Sequence, residues 1–304
     1  MLHERRFRAL GTEVGVWVWS TAPELDPILD ALPAAFEEAE QELSRFRADS
    51  GLCKLNARAG KGPQRVSAAL AEVCGLALDA AGATGGLFDP TILHALEAAG
   101  YDAPFAEVVA AGRKARPVPP PPPGPHWSEI QRDGLTIALP AGMALDLGGI
   151  AKGWLVDRVA EALRPFGPAL VDAGGDVRAT GKAAGLPWPV AVADPRPGGR
   201  DLAQVELGDE AVATSSVARR RWLHGEEWAH HIIDPRTRRP AATDVLSVTV
   251  LGETAAACEV QAKLALLLGG DAGAAHLEAR GLAALLVLAD GSVRTVSERF
   301  GPAP

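Results

Sequence analysis

The sequence predicts an α+β fold, and three observations predict it. Short strand candidates alternate irregularly with helical patterns, many connections carry Gly, Asp and Pro, and no internal repeat runs through the 304 residues. A doubly wound parallel sheet would need a steady strand–helix–strand rhythm, because parallel neighbours are joined by crossover helices. The length suffices for one large domain or two ordinary ones with ample core.

The first strand candidate is "TEVGVWVW", 12–19, where small and polar residues alternate with valines. Helical patterns follow at about 34–46 and 67–82, and Gly85 and Gly86 stop the second. "DPTILHALEAAGY" predicts a short helix with Asp89 as N-cap, Pro90 as first helical residue and Gly100 as stop. The run "PVPPPPPGP", 117–125, suits a polyproline spacer or surface loop better than a docking site for a proline-reading partner. Beyond it come the strand candidates "LTIAL", "PALVDAG", "WPVAVAD", "LSVTV" and "ALLVLA", with helices at about 150–164 and 254–269. The chemistry is expected on the connections.

Apolar residues make up 47% of the chain, which marks a folded globular protein. The net charge of −8 argues against a nucleic-acid or anionic-membrane partner, and "ARRRW" at 218–222 is too short to reverse that. Three arginines stand among the first eight residues with no long apolar stretch behind them, so no signal peptide is expected. No stretch approaches the roughly 18 apolar residues of a membrane span. Cys53, Cys74 and Cys258 lack metal-ligand spacing and are expected as reduced thiols of a cytoplasmic protein.

The stretch "DLGGIAKGWLVD", 146–157, sets an aspartate, two glycines and a lysine before an apolar helical pattern. Backbone amides, a helix N-terminus and one ammonium make a phosphate-holding turn. An ordinary strand–turn–helix looks the same, and the G-x-G-x-x-G spacing of dinucleotide sites is missing.

Six segments, taken in order, resemble the FAD:protein FMN transferase family, the ApbE-like flavin transferases. They are "ALGTEV", "LSRFRADSGLCKLN", "GGLFDPT", "LDLGGIAKGWLVD", "LVDAGGDVRATG" and "HHIIDPRTRRPA". The resemblance implies transfer of FMN from FAD to a Ser or Thr hydroxyl of a target protein, with release of AMP. It implies FAD as substrate, Mg²⁺ as cofactor and a flavin-accepting protein as partner. It also implies a single domain over 1–304, with two lobes, mixed and largely antiparallel sheets, and a cleft between the lobes.

The implied site residues are these. Leu10 touches the flavin, Phe46 stacks on FAD, and Leu87, Phe88 and Asp89 form an FAD-contacting turn. Asp146 and Lys152 contact FAD, and the Gly149 carbonyl serves Mg²⁺. Ile232 and Ile233 face FAD from a strand edge. His231 orients or deprotonates the incoming hydroxyl, a role a neutral imidazole can fill near pH 7; a structural histidine is the plainer alternative. Asp176 is assigned to FAD binding, although "DAGGD", 172–176, also suits a tight turn whose aspartates bond nearby amides.

Three positions depart from the family pattern. Glu259 stands where the family has a metal-binding Asp, and Lys263 where it has a metal-binding Thr one turn on. Glutamate can ligate Mg²⁺, but protonated lysine has no acceptor. Both are expected to face the site, with Lys263 substituting for the metal's charge. Arg238 stands where glycine is usual, a steric cost if that position needs φ > 0. Two other readings are a non-catalytic FAD-binding homologue and a proline-displaying scaffold without flavin.

Overall fold

The computed structural model describes residues 1–110 and 126–303. The proline-rich run at 117–125 lies outside the described residues. The helices are α1 (Leu25–Leu43), α2 (Gly51–Asn56), α3 (Ala68–Ala83), α4 (Leu93–Ala98), α5 (Phe105–Ala110), α6 (Ala151–Leu163), α7 (Ala255–Leu268) and α8 (Gly270–Ala279). Every strand pairing among the described residues is antiparallel. The protein is therefore α+β, as its irregular element order predicts.

The described residues group into two compact units. Unit 1 comprises Met1–Glu37, Lys152–Ala218 and the chain from Thr243 onward. Its eight-stranded sheet runs in the order Leu2–Ala9, Thr12–Trp19, Ala169–Ala173, Asp176–Thr180, Ala211–Ser216, Val245–Gly252, Ala283–Leu288 and Val293–Val296. Strands 2–9 and 12–19 are joined through Leu10 and Gly11, both at positive φ (53° and 67°), the backbone of a tight hairpin turn. Alternation along the strands fills the core: Leu170, Val177, Val212 and Leu251 of this sheet pack with Trp188, Val205 and Leu207 of a three-stranded sheet. α7 lies against strands 211–216 and 245–252.

Unit 2 comprises Glu38–Ala151 and Arg219–Ala242. Its core joins Leu96, Tyr101 and Val108 to Trp222 and Ala229, which come from the two strands of the hairpin Arg221–His224 and Glu227–His230. A second hairpin pairs Ile233–Asp234 with Arg239–Pro240.

Two sequence expectations need correction. α1 begins at Leu25, not near 34, and runs through Pro33. A helix-interior proline costs about 3 kcal/mol. Leu25, Leu29, Leu32 and Phe36 form a buried stripe, and burying each such side chain returns roughly 1.5–3 kcal/mol. Asp89 is not an N-cap. α4 starts at Leu93 without a side-chain cap, and Asp89 Oδ1 instead accepts from the Thr91 amide and hydroxyl, both at 2.7 Å. This local turn competes with the first helical turn and wins.

Candidate functional site

In unit 2 the segment 145–151 is held from both ends. The Asn56 side chain, at the end of α2, donates to the Leu145 carbonyl (3.0 Å) and accepts from its amide (2.9 Å). Asp146 Oδ1 accepts from Gly148 N–H at 2.9 Å, and a Cβ on Gly148 would lie 3.1 Å from that oxygen. Glycine is what lets the turn close this tightly. Ala151 N–H then donates to Leu147 O (2.9 Å), opening α6. The expected turn before a helix is present, with Gly149 buried inside it.

The other oxygen of Asp146, Oδ2, takes Arg45 Nε at 2.8 Å. The Arg45 guanidinium lies 4.0 Å from the Phe46 centroid and 4.4 Å from that of Tyr101, and the two rings pack on each other with centroids 5.6 Å apart. Arg45 Nη1 donates to Tyr101 O (2.8 Å). Phe46 is not a core phenylalanine: it is 39% exposed. The loop carrying both residues is fixed by Ser50, which donates to Ser44 O (2.6 Å), and by the Cys53 thiol on Arg45 O (3.4 Å). Phe88 is buried and Leu87 half-buried, and the Thr84 hydroxyl accepts from Phe88 N–H at 3.0 Å.

The paired histidines of unit 2 have separate settings. His230 Nε2 lies 3.1 Å from Ala241 O, and His230 Nδ1 accepts from Ile232 N–H (3.3 Å). A carbonyl only accepts and an amide only donates, so His230 is the neutral Nε2–H tautomer. Burial lowers its pKa, in keeping with that state. His230 is thus committed to structure. His231 is half-buried, with its amide donating to Arg220 O (3.3 Å). Ile232 and Ile233 are each only 2% exposed, and Ile233 packs into the unit 2 core. Arg238 has φ = 56°, so its position does require the left-handed region.

In unit 1 the Lys152 ammonium bridges two buried carboxylates. It contacts Asp176 Oδ2 directly and lies 3.3 Å from Glu259 Oε1. Glu259 Oε2 accepts from Gly153 N–H (3.2 Å), an amide of the first turn of α6 that has no partner within the helix. α6 and α7 approach closely here, since a Cβ on Gly153 would lie 2.6 Å from Ala256 N. Asp157, on α6, accepts from Ala255 and Ala256 N–H (2.8 and 3.0 Å) and so caps α7. Burial, reinforced by the Glu259 charge and opposed by Lys152, pushes Asp176 up to about 7. Asp172 accepts from Gly175 N–H (2.9 Å), as the tight-turn reading expects, and burial raises it too. Asp176 at the end of the same turn reaches Lys152 instead. Leu10, at φ = 53°, holds a strained conformation on the neighbouring hairpin turn.

Mg²⁺ seeks near-ideal octahedral oxygen coordination. Here both oxygens of Glu259 already take donors, Asp176 faces an ammonium, and residue 263 offers no acceptor oxygen. Among the described residues no group of three or more His, Cys, Asp and Glu side chains is placed to hold a metal ion. The residues as arranged do not fit a Mg²⁺ site. A cation already stands on Glu259, the Lys152 ammonium at 3.3 Å.

Three positioning residues, Arg45, Asn56 and Asp157, had no assigned role in the sequence. All three lie inside the quoted segments, and Arg45 directly precedes the assigned Phe46. Their partners Asp146, Leu145 and α7 are distant in sequence, so only the fold reveals them.

The model of the ApbE family matches residues 10–286. A FAD:protein FMN transferase of Treponema pallidum is 32% identical, over 96% of this chain and 86% of its own. One of Vibrio cholerae is 30% identical, over 88% and 81%. The crystal structure of the ApbE protein of Thermotoga maritima superposes with a TM-score of 0.85 at 27% identity, covering 98% of this chain and 97% of that one. Fold, ordered motifs and relatives agree, and the chain belongs to the ApbE family.

Proposed function

We propose that this chain transfers FMN from FAD to a Ser or Thr hydroxyl of a target protein and releases AMP. The observation that carries the reading is the family match across residues 10–286. In the transfer, the hydroxyl oxygen bonds to the phosphorus on the flavin side of the pyrophosphate. The bond from that phosphorus to the bridging oxygen breaks, and AMP leaves with the oxygen. Catalysis of such a transfer is mostly positioning and charge neutralisation.

In this reading His231 takes the hydroxyl proton. Phe46 offers its exposed ring for stacking, with Leu10, Leu87, Phe88, Asp89, Ile232 and Ile233 as further FAD contacts. Since the two isoleucine side chains are buried, their contribution falls to backbone groups. Asp146 and the amides of its turn hold polar groups of FAD. Lys152 serves the pyrophosphate; an ammonium has three donors, so a phosphate oxygen either shares it with Asp176 and Glu259 or displaces one of them.

Magnesium has no seat in this reading, because Lys152 occupies the carboxylates of Asp176 and Glu259 and Lys263 stands where the family pattern has an oxygen ligand. The catalytic module is the whole of 1–304. The cytoplasm is the proposed compartment, on the three free cysteines; no helix among the described residues is long and apolar enough to cross a membrane.

Incubation with FAD and an acceptor protein, followed by chromatography for AMP and detection of flavin fluorescence on the acceptor, tests the proposal. Both products are expected together. Bound FAD with neither product would favour the non-catalytic flavin binder, for which the altered 259 and 263 positions are the supporting observation.

A further inference from the structure

We propose that Arg45 is a positioning residue of the flavin site, one guanidinium that sets both the ring of Phe46 and the carboxylate of Asp146. The ligand rests on the functional reading above; the geometry lies entirely within unit 2. Phe46 comes from the loop after α1 and Asp146 from the segment before α6. Arg45 is bonded to Asp146 through Nε at 2.8 Å and stacked under Phe46 at 4.0 Å. The two assigned contacts thus share one support.

The support is itself anchored. Tyr101 touches the guanidinium at 4.4 Å, packs on Phe46 with ring centroids 5.6 Å apart, and accepts Arg45 Nη1 through its carbonyl at 2.8 Å. Trp222 packs against Tyr101 with ring centroids 5.1 Å apart, and its indole N–H donates to Ala99 O at 3.0 Å. Trp222, Tyr101, Arg45 and Phe46 therefore form one cluster, buried at the tryptophan and open at the phenylalanine. A ring has two faces. Arg45 covers one face of Phe46, and the 39% of Phe46 left exposed is the surface available to a stacking ligand.

The chemistry explains why this residue is arginine. A planar cation can lie against two neighbouring rings while its edge bonds a carboxylate and a carbonyl. The arrangement is costly for a purely structural role. The Arg45 side chain is 6% exposed, and its buried Nη2 has no hydrogen-bond partner among the described residues. Well-packed apolar side chains fill such a position at equal or lower cost. A buried charge retained under those terms, beneath an exposed ring, points to placement of that ring.

The test is a double-mutant cycle read by quenching of flavin fluorescence on FAD binding, with the thermal midpoint of each protein recorded. Arg45→Met is expected to weaken FAD binding by about tenfold or more, since it removes a desolvated cation–π contact and the Asp146 bond together. In the Phe46→Ala background the same change should cost severalfold less, because only the Asp146 bond is then left to lose and residues that act through each other are not additive. Arg45→Lys keeps charge beside Asp146 but cannot stack through a plane, and should follow Arg45→Met; it also supplies the comparison if the methionine variant does not fold. Unchanged affinity in both Arg45 variants, or an equal loss in both backgrounds, overturns the inference. A native chain that binds no FAD overturns the functional reading and this inference with it, whereas a native chain that binds while Arg45 proves neutral overturns the inference alone.

Discussion

The side-chain amide of Asn56 and the backbone of Leu145 exchange two hydrogen bonds across 89 residues of sequence, 3.0 and 2.9 Å long. One amide thus fixes the register in which the segment ahead of α6 enters its turn. Asn56→Ala would leave a buried N–H and C=O of Leu145 unpaired, at about 2–4 kcal/mol for the two groups together. Urea unfolding should register that loss. Asn56→Asp should fare little better, because a carboxylate cannot donate to the Leu145 carbonyl. Stability within about 0.5 kcal/mol of native for both variants would show that the clamp is dispensable.

Arg238 gives a prediction of opposite sign. At φ = 56° a non-glycine residue bears a penalty of roughly 1–2 kcal/mol, while glycine there loses part of that gain to its own unfolded-state freedom. Arg238→Gly should therefore raise stability by up to about 1 kcal/mol, and Arg238→Ala, which keeps the strain, should not. Thermal melts of the three proteins decide it, and a glycine variant no more stable than the alanine one would contradict the account.

Release of AMP by the native chain is expected to persist in EDTA. The Glu259→Asp, Lys263→Thr double variant restores the family's Asp and Thr at these positions and should gain a dependence on added Mg²⁺. Native activity that disappears on chelation and returns with Mg²⁺ would mean that the carboxylates part from Lys152 to admit the ion.

The α6 end offers a pH signature. The Arg164 guanidinium first, and then Arg178, hold the Glu161 carboxyl down to about 2, against desolvation. A carboxyl depressed in the folded state adds stability that is complete above its unfolded value near 4.5 and lost as pH falls toward 2. The thermal midpoint gap between native protein and Glu161→Gln should thus be widest above pH 5 and shrink by pH 3. Because Glu161 is half exposed, added salt should also narrow the gap. A gap independent of pH would assign Glu161 no electrostatic part.

Local patterns were legible where one force dominates. The strand at 12–19 and the helices near 67–82, 150–164 and 254–269 sit where alternation or helical periodicity placed them. The candidate site was legible as segments, through Asp146, Lys152, Asp176 and Glu259, because short motifs keep their residues in fixed order. Their pairing was not. That Lys152 would sit on Asp176 and Glu259, 24 and 107 residues away, and that Arg45 would stack on Phe46 while holding Asp146, depends on which elements the fold brings together. Asp89 misled because an aspartate before proline suits both a helix cap and a local turn. The strand Leu2–Ala9 escaped notice because His3, Glu4, Arg5, Arg6 and Arg8 mask its alternation.

Those same charges have a use at the rim of the eight-stranded sheet. Leu2–Ala9 is an outermost strand, with one row of amides and carbonyls open to any other extended chain. Such rims seed aggregation unless something discourages a neighbour. Arg5 is tied to Asp26 and Asp30, and Arg6 to Glu4 and Glu13, so charged side chains crowd the strand from both faces. A second copy of the strand, laid alongside, would have to bring its own arginines among these. Replacing Arg5, Arg6 and Arg8 with valine would make the strand obvious to any reader of the sequence and, by the same act, make the protein prone to polymerise along that rim.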